Sequence, residues 1–421
     1  MQKLKVKGKN ILSGEIKVSG SKNATLPIIA ASILSEKKID LKRVPIVKDV
    51  VTMCHLLKHM GSKIKINYKK KNISINNKNK KFKNIAPYSF VKTMRAGVIV
   101  LGSLLARFGK AKVSLPGGCA IGTRPIDIHL KGLKKLGAKF EIENGFVVGQ
   151  VSKNLIGNKI KFPSPSVGAT ENILMAAVMA KGETFIDQAA REPEIVDLGN
   201  FLISMGAKIE GLGSNKIYIQ GVDNLKETKY KIISDRIVAG TFIILAVMIN
   251  SKIHVKNFNP NHLKSLINIL KKMGANMDVL NSSIKIYPSK KLKSVKIETA
   301  PYPGFPTDLQ AQIMSLMSIV NGNSEIKETV FENRFMHVPE LNRLGAEIKL
   351  IKDKAFIKGD KKFKGAQVMA SDLRASVSLV LAALCAEGKT TINRVYHLDR
   401  GYAEIEKYLG KLGAKIMRQK I

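Results

Sequence analysis

The decapeptide LKKLGAKFEI, Leu133 to Ile142, decides the fold because the chain contains six versions of it. Each version has an apolar residue, a few mixed residues, Leu or Met, then Gly and a small residue. The other five are LLKHMGSKIKI (56–66), LISMGAKIEG (202–211), LKKMGANMDV (270–279), LNRLGAEIKL (341–350) and LGKLGAKIM (409–417). Successive glycines are 68 to 76 residues apart. Solenoid repeats usually span about 20 to 50 residues, so these units predict globular domains instead.

Each version predicts the end of a helix followed by a strand. Glycine adopts the left-handed conformation that caps helices at little cost. The residues that follow it alternate between polar and apolar, as in SKIKINY at 62–68, which is typical of a strand. The six glycines are Gly61, Gly137, Gly206, Gly274, Gly345 and Gly413.

A second phrase recurs in step with the first and predicts six buried helices. Each copy has a polar start followed by small and branched apolar residues on nearly every face, so each helix must pack against neighbours. The copies lie at 21–34, 93–106, 166–180, 234–248, 306–320 and 371–385. We therefore expect an α/β protein of two domains with three βα repeats each, in which the apolar helices lie inside and the sheets outside.

The composition indicates a globular protein with a large positive charge. Among 421 residues, 45% are hydrophobic and 24% are charged, and 71 Lys and Arg against 32 Asp and Glu give a net charge of +39. This charge has two interpretations, a surface for nucleic acid or an anionic substrate, or the coding bias of an AT-rich genome. Because the lysines are spread along the chain, without clustered arginines and interleaved aromatic residues, the second is favoured and no nucleic-acid partner is expected.

The location is expected to be cytoplasmic. No apolar run reaches the 18 or so residues of a membrane span, and the N-terminal segment MQKLKVKGKNILSG lacks the apolar core of a signal peptide. The three cysteines are far apart and no CxxC pair occurs, so we expect reduced thiols and no metal site. No membrane insertion is predicted either.

Candidate functional residues lie at the polar starts of the six apolar helices. Helix N-termini present free N–H groups and a positive dipole end, which favour anions. Cations and carboxylates at these starts could line one cleft. They are Lys22, Asn23, Arg95, Ser166 to Thr170, Asp235, Arg236, Asp308, Asp372 and Arg374.

Cys119 stands apart from the other cysteines, Cys54 and Cys385, which lie in apolar helices and are interpreted as core residues. It follows Pro-Gly-Gly on a loop and precedes Arg124 by five residues. A nearby guanidinium favours the thiolate and lowers the pKa of a thiol. Cys119 is therefore either a loop residue without a role in chemistry or a nucleophile or proton donor on a closing lid.

Two acidic segments also leave alternatives open. Asp308, in the segment PYPGFPTDLQAQ, is either the N-cap of the following helix or a general base near a substrate hydroxyl. The segment REPEIVD carries Glu192 and Glu194, for which a structural role is favoured. A similar Pro-Glu ending in FMHVPEL, at 335–341, supports a role shared by duplicated units.

Long motifs in a fixed order resemble the UDP-N-acetylglucosamine 1-carboxyvinyltransferase family of enolpyruvyl transferases. They include SGSKNATLP (19–27), LPGGCAIGTRPIDIHL (115–130), SVGATENILMAA (166–177), PTDLQAQ (306–312), TVFENRFMHVPEL (329–341) and HLDRGY (397–402). The resemblance covers essentially the whole chain. It implies a two-domain inside-out α/β barrel, with the active site in the cleft. The implied domains are 22–233, which carries Cys119, and 1–21 plus 234–421, which carries Asp308, Asp372 and Arg400.

The resemblance also implies the reaction. Such enzymes move the enolpyruvyl group of phosphoenolpyruvate onto the 3′-hydroxyl of UDP-N-acetylglucosamine and release phosphate, through a tetrahedral intermediate and without a cofactor or metal. Fixed cations suit these anionic small-molecule substrates, which are the partners expected. The sequence leaves the oligomeric state open. The step is the first committed one of peptidoglycan precursor synthesis.

Residue roles carry over from matching motifs. Cys119 matches a loop cysteine that acts as general acid toward the methylene carbon, and Asp308 matches the group that takes the hydroxyl proton. Cations around phosphoenolpyruvate are matched by Lys22, Arg124 and Arg400. Contacts to the UDP-sugar are matched by Asn23, Arg95, Arg124, Pro125, Ile126, Asp127, Ile128, Ser166, Val167 and Val330. Polar residues lining the site are matched by Arg334, Asp372 and Arg374.

Three alternatives remain open from the sequence. The related shikimate-pathway synthase shares the fold and mechanism class. Cys119 argues against this alternative, because the synthase is not known for a PGGC motif in its loop. A basic nucleic-acid-binding protein with this fold would show binding that salt weakens steeply. An inactive relative is a third alternative, against which the intact set of candidate catalytic residues argues.

Overall fold

The computed structural model describes residues 2–79, 81–92, 94–115 and 126–420, without the side chain of Arg95. The described chain divides into two compact units. The N-terminal unit contains residues 20–115 and 126–233, and the C-terminal unit contains residues 2–19 and 234–420. The chain enters the N-terminal unit near residue 20 and leaves it near residue 233. Each unit holds three of the six repeats.

The N-terminal unit contains three four-stranded mixed sheets, each with one parallel pair at its edge and two antiparallel pairs. The first is β14 (Thr228–Lys231), β3 (Lys38–Lys42), β5 (Asn72–Asn76) and β4 (Lys63–Asn67). The second is β6 (Ile85–Ala86), β7 (Lys110–Ser114), β9 (Phe146–Gln150) and β8 (Lys139–Glu143). The third is β10 (Lys159–Lys161), β11 (Glu183–Asp187), β13 (Lys216–Gln220) and β12 (Lys208–Glu210).

The C-terminal unit repeats the same strand order three times. Its first sheet is β2 (Gly14–Lys17), β15 (Ile253–Lys256), β17 (Ser283–Tyr287) and β16 (Asn276–Leu280). Its second is β18 (Lys296–Glu298), β19 (Asn323–Lys327), β21 (Lys354–Lys358) and β20 (Glu347–Ile351). Its third is β22 (Gln367–Met369), β23 (Lys389–Asn393), β1 (Gln2–Lys7) and β24 (Lys415–Lys420). Strand β1 thus completes a sheet whose other strands come from the far end of the chain.

Six apolar helices form the interiors of the two units, as the second sequence phrase predicts. They are α1 (Lys22–Ala31), α4 (Val100–Phe108) and α6 (Val167–Ala177) in the N-terminal unit, and α8 (Arg236–Met248), α10 (Gln310–Ile319) and α12 (Leu373–Cys385) in the C-terminal unit. Every residue of α8 is buried. The helices α8, α10 and α12 contact one another, and α4 contacts both α1 and α6. The sheets therefore surround helices that are apolar on all sides.

In the part of the chain that the structure describes, seven further helices complete the fold, and all of them except α3 are followed within three residues by a predicted glycine. They are α2 (Lys48–Met60), α3 (Tyr88–Val91), α5 (Asp127–Lys135), α7 (Pro193–Ser204), α9 (Lys264–Met273), α11 (Val338–Arg343) and α13 (Ile405–Gly410). The six repeat glycines all have positive φ, between 95° and 117°. The prediction of six left-handed glycine caps is therefore confirmed.

Polar caps explain where the apolar helices begin. Ser21, Ser166, Asp235 and Asp372 each accept a backbone hydrogen bond at the start of their helix. The other two helices, α4 and α10, instead follow short 3₁₀ turns, Arg95–Ile99 and Thr307–Leu309. Within the described ranges, no helix is long and apolar enough to cross a membrane.

Candidate active site

Asp308 lies between two arginine side chains of the C-terminal unit. Its Oδ1 is 2.8 Å from Nη2 of Arg334, and its Oδ2 is 2.6 Å from Nη2 of Arg374. Both guanidinium groups are nearly buried, at 5% and 6% exposure, whereas 24% of the Asp308 side chain is exposed. The carboxylate is therefore anchored through both oxygens and still open to solvent on one side.

The alternative in which Asp308 is only a helix N-cap is wrong. Asp308 lies inside the 3₁₀ turn Thr307–Leu309, whose N-cap is Pro306 and has no side-chain capping bond. The carboxylate points instead to arginines 26 and 66 residues further along the chain. A surface cap needs no such pair of buried cations, so this geometry favours a role in chemistry.

Arg374 is held at the start of α12 by local capping. Asp372 accepts hydrogen bonds through Oδ1 from the backbone N–H of Arg374, at 2.8 Å, and of Ala375, at 3.1 Å. Burial disfavours the charged guanidinium, but the neighbouring Asp308 carboxylate outweighs it, and the pKa of Arg374 is raised. Arg374 therefore keeps its positive charge at every pH the protein meets.

Glu328 joins the turn of Asp308 to the segment that carries Arg334. It is buried, and its Oε2 accepts a hydrogen bond from the Thr307 hydroxyl at 2.9 Å. Its Oε1 accepts from the backbone N–H groups of Val330, at 2.9 Å, and Phe331, at 3.2 Å. Val330, a predicted UDP-sugar contact, thus lies on a segment that the buried carboxylate of Glu328 connects to the turn of Asp308. Glu328 was not predicted from the sequence.

Lys22 is the first residue of α1 in the N-terminal unit, and only 12% of its side chain is exposed. Its Nζ lies 3.4 Å from Oδ2 of Asp49, a nearly buried residue in the first turn of α2. Asn23 follows in the first turn of α1 and is partly exposed. Asp49 was not predicted from the sequence, because the start of its helix lacks the apolar phrase that marks the other candidates.

Five of the predicted UDP-sugar contacts lie at the starts of α5 and α6. Ile126 precedes α5, exposed Asp127 begins it, and Ile128 follows. At α6 the hydroxyl of Ser166 accepts from the N–H of Ala169, and Val167 is 38% exposed. The two helices contact each other. A helix N-terminus of this length presents N–H groups suited to an anion.

His129 connects these two helices as a neutral side chain. Burial lowers the pKa of His129 to about 4. Its Nδ1 lies 2.8 Å from Nδ2 of Asn172, an amide donor, so Nδ1 accepts and the ring proton is on Nε2. The Oδ1 of Asn172 accepts from the N–H of Gly102 in α4. Asn172 was not predicted from the sequence, although a polar residue inside an apolar helix is a signal that could have identified it.

Several buried carboxyl groups lie where α6 meets α7. Glu171 is fully buried, and burial together with the nearby Glu194 and Glu192 raises its pKa well above the ordinary value. Asp197 accepts from the Tyr230 hydroxyl at 2.7 Å, and burial raises its pKa to about 6. Glu192 is the N-cap residue of α7, and Pro193 follows it as the first helical residue. The placement of Glu194 in a buried cluster agrees with the structural role that the sequence favours.

Of the other predicted residues, the structure describes some and leaves others outside the described ranges. Arg400 ends the 3₁₀ turn Val395–Arg400 in the C-terminal unit and is partly exposed. Cys119, Arg124 and Pro125 lie outside the described residues, as does the side chain of Arg95. Cys54 and Cys385 pack with the cores, and burial raises the pKa of both thiols to about 12. The interpretation of these two cysteines as core residues is confirmed.

Comparison with known proteins identifies the family. A family model described as EPSP synthase (3-phosphoshikimate 1-carboxyvinyltransferase) matches residues 6–409. A UDP-N-acetylglucosamine 1-carboxyvinyltransferase of Pelagibacter ubique is 56% identical over 418 residues, covering 99% of this chain and all of the relative. One of Thermodesulfovibrio yellowstonii is 51% identical over 423 residues, covering both chains fully. The chain belongs to the UDP-N-acetylglucosamine 1-carboxyvinyltransferase family. The family prediction made from the Cys119 loop and its companion motifs is thereby confirmed.

Solved structures of enolpyruvyl transferases share the fold. The enolpyruvyl transferase NikO of Streptomyces tendae superposes with a TM-score of 0.89 at 23% identity, over 100% of this chain and 99% of that one. The EPSP synthase of Acinetobacter baumannii superposes with a TM-score of 0.76 at 19% identity, over both whole chains. The predicted fold, six repeats in a two-domain enolpyruvyl transferase, is therefore confirmed.

Proposed function

We propose that this enzyme transfers the enolpyruvyl group of phosphoenolpyruvate to the 3′-hydroxyl of UDP-N-acetylglucosamine and releases phosphate. The observation that carries the proposal is the 56% identity, over whole chains, with a relative named for this acceptor. The step would be the first committed one of peptidoglycan precursor synthesis. A cytoplasmic location and small-molecule substrates as partners belong to the same proposal.

Asp308 is the proposed acceptor of the hydroxyl proton. Both of its oxygens are held by arginines, so its direction is set, and its partial exposure leaves a side open to a substrate hydroxyl. Each carboxylate oxygen has a second lone pair, so the ion pairs leave room for one more hydrogen bond. A base of fixed direction loses less entropy on reaching the transition state than a mobile one.

The proposed reaction has two steps. The 3′-oxygen loses its proton to Asp308 and bonds to carbon 2 of phosphoenolpyruvate, while Cys119 delivers a proton to the methylene carbon. This gives a tetrahedral intermediate. Loss of a proton from the resulting methyl group and departure of phosphate then restore the carbon–carbon double bond in the product. No oxidant or reductant is consumed, which agrees with the expected absence of a cofactor.

Three cations are proposed to bind phosphoenolpyruvate. Lys22, Arg124 and Arg400 are assigned to the carboxylate and phosphate of phosphoenolpyruvate, and bidentate arginines suit these groups well. Arg334, Arg374 and Asp372 are assigned to the surroundings of Asp308. The UDP-sugar is assigned to Asn23, Arg95, Arg124, Pro125, Ile126, Asp127, Ile128, Ser166, Val167 and Val330. We further propose 22–233 and 1–21 plus 234–421 as the two domains.

Phosphate release tests the reaction and the acceptor together. The purified protein is given phosphoenolpyruvate with UDP-N-acetylglucosamine, with shikimate 3-phosphate, or with no acceptor. Release only with the UDP-sugar is expected. Release only with shikimate 3-phosphate, the acceptor in the description of the matching family model, would replace the proposed acceptor. Release with neither would overturn the proposed activity.

A further inference from the structure

Four polar side chains form a closed hydrogen-bonded ring with Asp308 in the C-terminal unit. The Tyr402 hydroxyl lies 2.7 Å from the Thr241 hydroxyl and 3.5 Å from Nη1 of Arg374, whose Nη2 holds the Asp308 carboxylate. In the other direction, Nε2 of Gln312 donates to the Thr241 hydroxyl at 3.2 Å and to the backbone oxygen of Asp308 at 3.0 Å. The ring therefore reaches Asp308 through both its side chain and its backbone.

The direction of every hydrogen bond in the ring follows from the donors available. The Thr241 hydroxyl donates to the backbone oxygen of Ile237 at 2.8 Å, so its two lone pairs accept from Gln312 and Tyr402. Tyr402 must then donate to Thr241 and accept from Arg374, because a guanidinium has no acceptor. The Tyr402 hydroxyl thus links Nη1 of Arg374 to Thr241, while Nη2 of Arg374 contacts Asp308.

Burial makes this arrangement specific. Thr241 and Gln312 are fully buried, and Tyr402 is 4% exposed. Burial also raises the pKa of Tyr402, so that its hydroxyl stays protonated beside Arg374, with Asp235 and Asp308 nearby. Hydrogen bonds in such low-dielectric surroundings are stronger, and misplacing one of their partners is costly.

The ring joins all three repeats of the unit. Thr241 is on α8, Gln312 on α10 and Arg374 on α12, while Tyr402 follows the 3₁₀ turn that ends at Arg400. Hydrogen bonds of the ring therefore connect the three apolar helices to one another close to Asp308. A network that only stabilised the core would not need to include the partly exposed carboxylate of Asp308.

We propose that Tyr402 is a positioning residue for enolpyruvyl transfer. Its hydroxyl holds Arg374 in the orientation that aims the Asp308 carboxylate, and Thr241 and Gln312 hold Tyr402 and the backbone of Asp308. Tyr402 itself is not assigned a contact with substrate. This inference rests on the proposed function, since it concerns the same transfer.

The test is a double-mutant cycle with Tyr402→Phe and Thr241→Val, each of which removes one hydroxyl and keeps the shape. Either single change is expected to lower kcat roughly tenfold, the effect of losing one hydrogen bond to a charged partner. The KM for UDP-N-acetylglucosamine is expected to change less than twofold. The double variant is expected to match the single ones, because both changes break the same ring.

Tyr287→Phe is the matched control. It also removes a tyrosine hydroxyl, which bonds Asp278 on a neighbouring strand of another sheet, and kcat should stay unchanged. Unchanged kcat in Tyr402→Phe, or effects of the two single changes that multiply in the double variant, would overturn the positioning role. If Tyr402→Phe fails to fold, Thr241→Val alone tests the proposal, and it is expected to lower kcat while changing KM less than twofold.

Two measurements distinguish failure of the proposed function from failure of the positioning role. The wild-type protein is assayed first, and no phosphate release would overturn the reaction and, with it, a positioning role in that reaction. The same cycle on the midpoint of urea unfolding reports the ring without any activity. The two substitutions are expected to shift the midpoint by less together than the sum of their separate shifts. Additive shifts would overturn the proposal that the two hydroxyls belong to one hydrogen-bonded ring.

Discussion

The ion pairs of Asp308 with two arginines predict what a substitution of Asp308 does to turnover and to stability. Asp308→Asn keeps the shape but removes the charge that Arg334 and Arg374 share. Turnover is expected to fall about a thousandfold because the proton acceptor is lost. The free energy of unfolding is expected to fall by about 3 kcal/mol because two buried cations lose their partner. Phosphate release and urea unfolding measure the two effects.

The control for this change is Asp278→Asn, on an exposed strand of the same unit, which should alter neither quantity. Near wild-type turnover in Asp308→Asn would remove Asp308 from the mechanism. Retained stability with lost turnover would show that the arginines find another counter-charge in the variant.

The three cysteines are expected to differ in reactivity. Cys54 and Cys385 have thiols whose pKa burial raises to about 12, so almost none is thiolate at pH 8. Iodoacetamide is therefore expected to modify Cys119 at least tenfold faster than either, as read by peptide mass spectrometry. Cys119→Ser is expected to reduce turnover at least a hundredfold. Modification of Cys54 or Cys385 with Cys119 intact would contradict the assignment of Cys119 to an accessible loop.

At the scale of elements, the buried Glu171 makes α6 sensitive to pH. Burial raises its pKa in the folded protein above that of the unfolded chain, so its stabilising contribution is full at low pH. That contribution declines as the pH rises above the unfolded value and toward the folded one. Glu171→Gln, which cannot ionise, is therefore expected to be more stable than wild type at pH 8, by about 1 kcal/mol or more.

Urea unfolding at pH 5 and pH 8 measures this effect. The gain from Glu171→Gln is expected to be larger at pH 8 than at pH 5. The matched control is Glu141→Gln on the exposed strand β8, which should show no such difference. An equal gain at both pH values would mean that ionisation of Glu171 is not what burial opposes.

The glycine caps are a second feature of the elements. Gly137 has a φ of 97° and nothing within 4 Å of an added Cβ, so Gly137→Ala tests backbone strain alone. The free energy of unfolding is expected to fall by about 1 kcal/mol. Gly410→Ala, also with open space around the added atom, should be neutral or slightly stabilising because α13 is helical there. Equal effects at both glycines would contradict the capping role.

At the scale of the whole molecule, strand β1 joins the two ends of the described chain. Gln2 pairs with Lys420 and Lys7 with Lys415, and the same strand pairs with β23 on its other side. A circular permutant that links the ends by a short loop and opens the exposed turn after β4, near Tyr68, should therefore fold. Its melting temperature should lie within about 5 °C of wild type, corresponding to roughly 1–2 kcal/mol.

Deletion of residues 2–7 is the comparison for the permutant. Without β1, strand β24 loses its only partner in the described sheet, and the melting temperature should fall by at least about 10 °C. Thermal unfolding followed by circular dichroism measures both proteins. A permutant that fails to fold, or a deletion without effect, would contradict the closure of this sheet by β1.

Local patterns in the sequence determined much of this protein. Glycine conformation and apolar periodicity act over a few residues, so they predicted the six caps, the six buried helices and the repeat number. Long motifs such as the Cys119 loop predicted the family. Asp308 was singled out because it lies at the polar start of an apolar helix, but the choice between helix cap and general base was left open.

Only the tertiary structure decided which distant residues meet. The pair of Asp308 with Arg374 and the ring through Tyr402 and Thr241 join different repeats, and Asp308 meets Arg334 across 26 residues of its own repeat. No local pattern sets such contacts. The closing of sheets by β1, β2 and β14 likewise joins strands far apart in the chain. Burial of Glu171 and His129 depends on the same packing, and with it their protonation. Short-range propensity determined the elements, and long-range packing and desolvation determined the site.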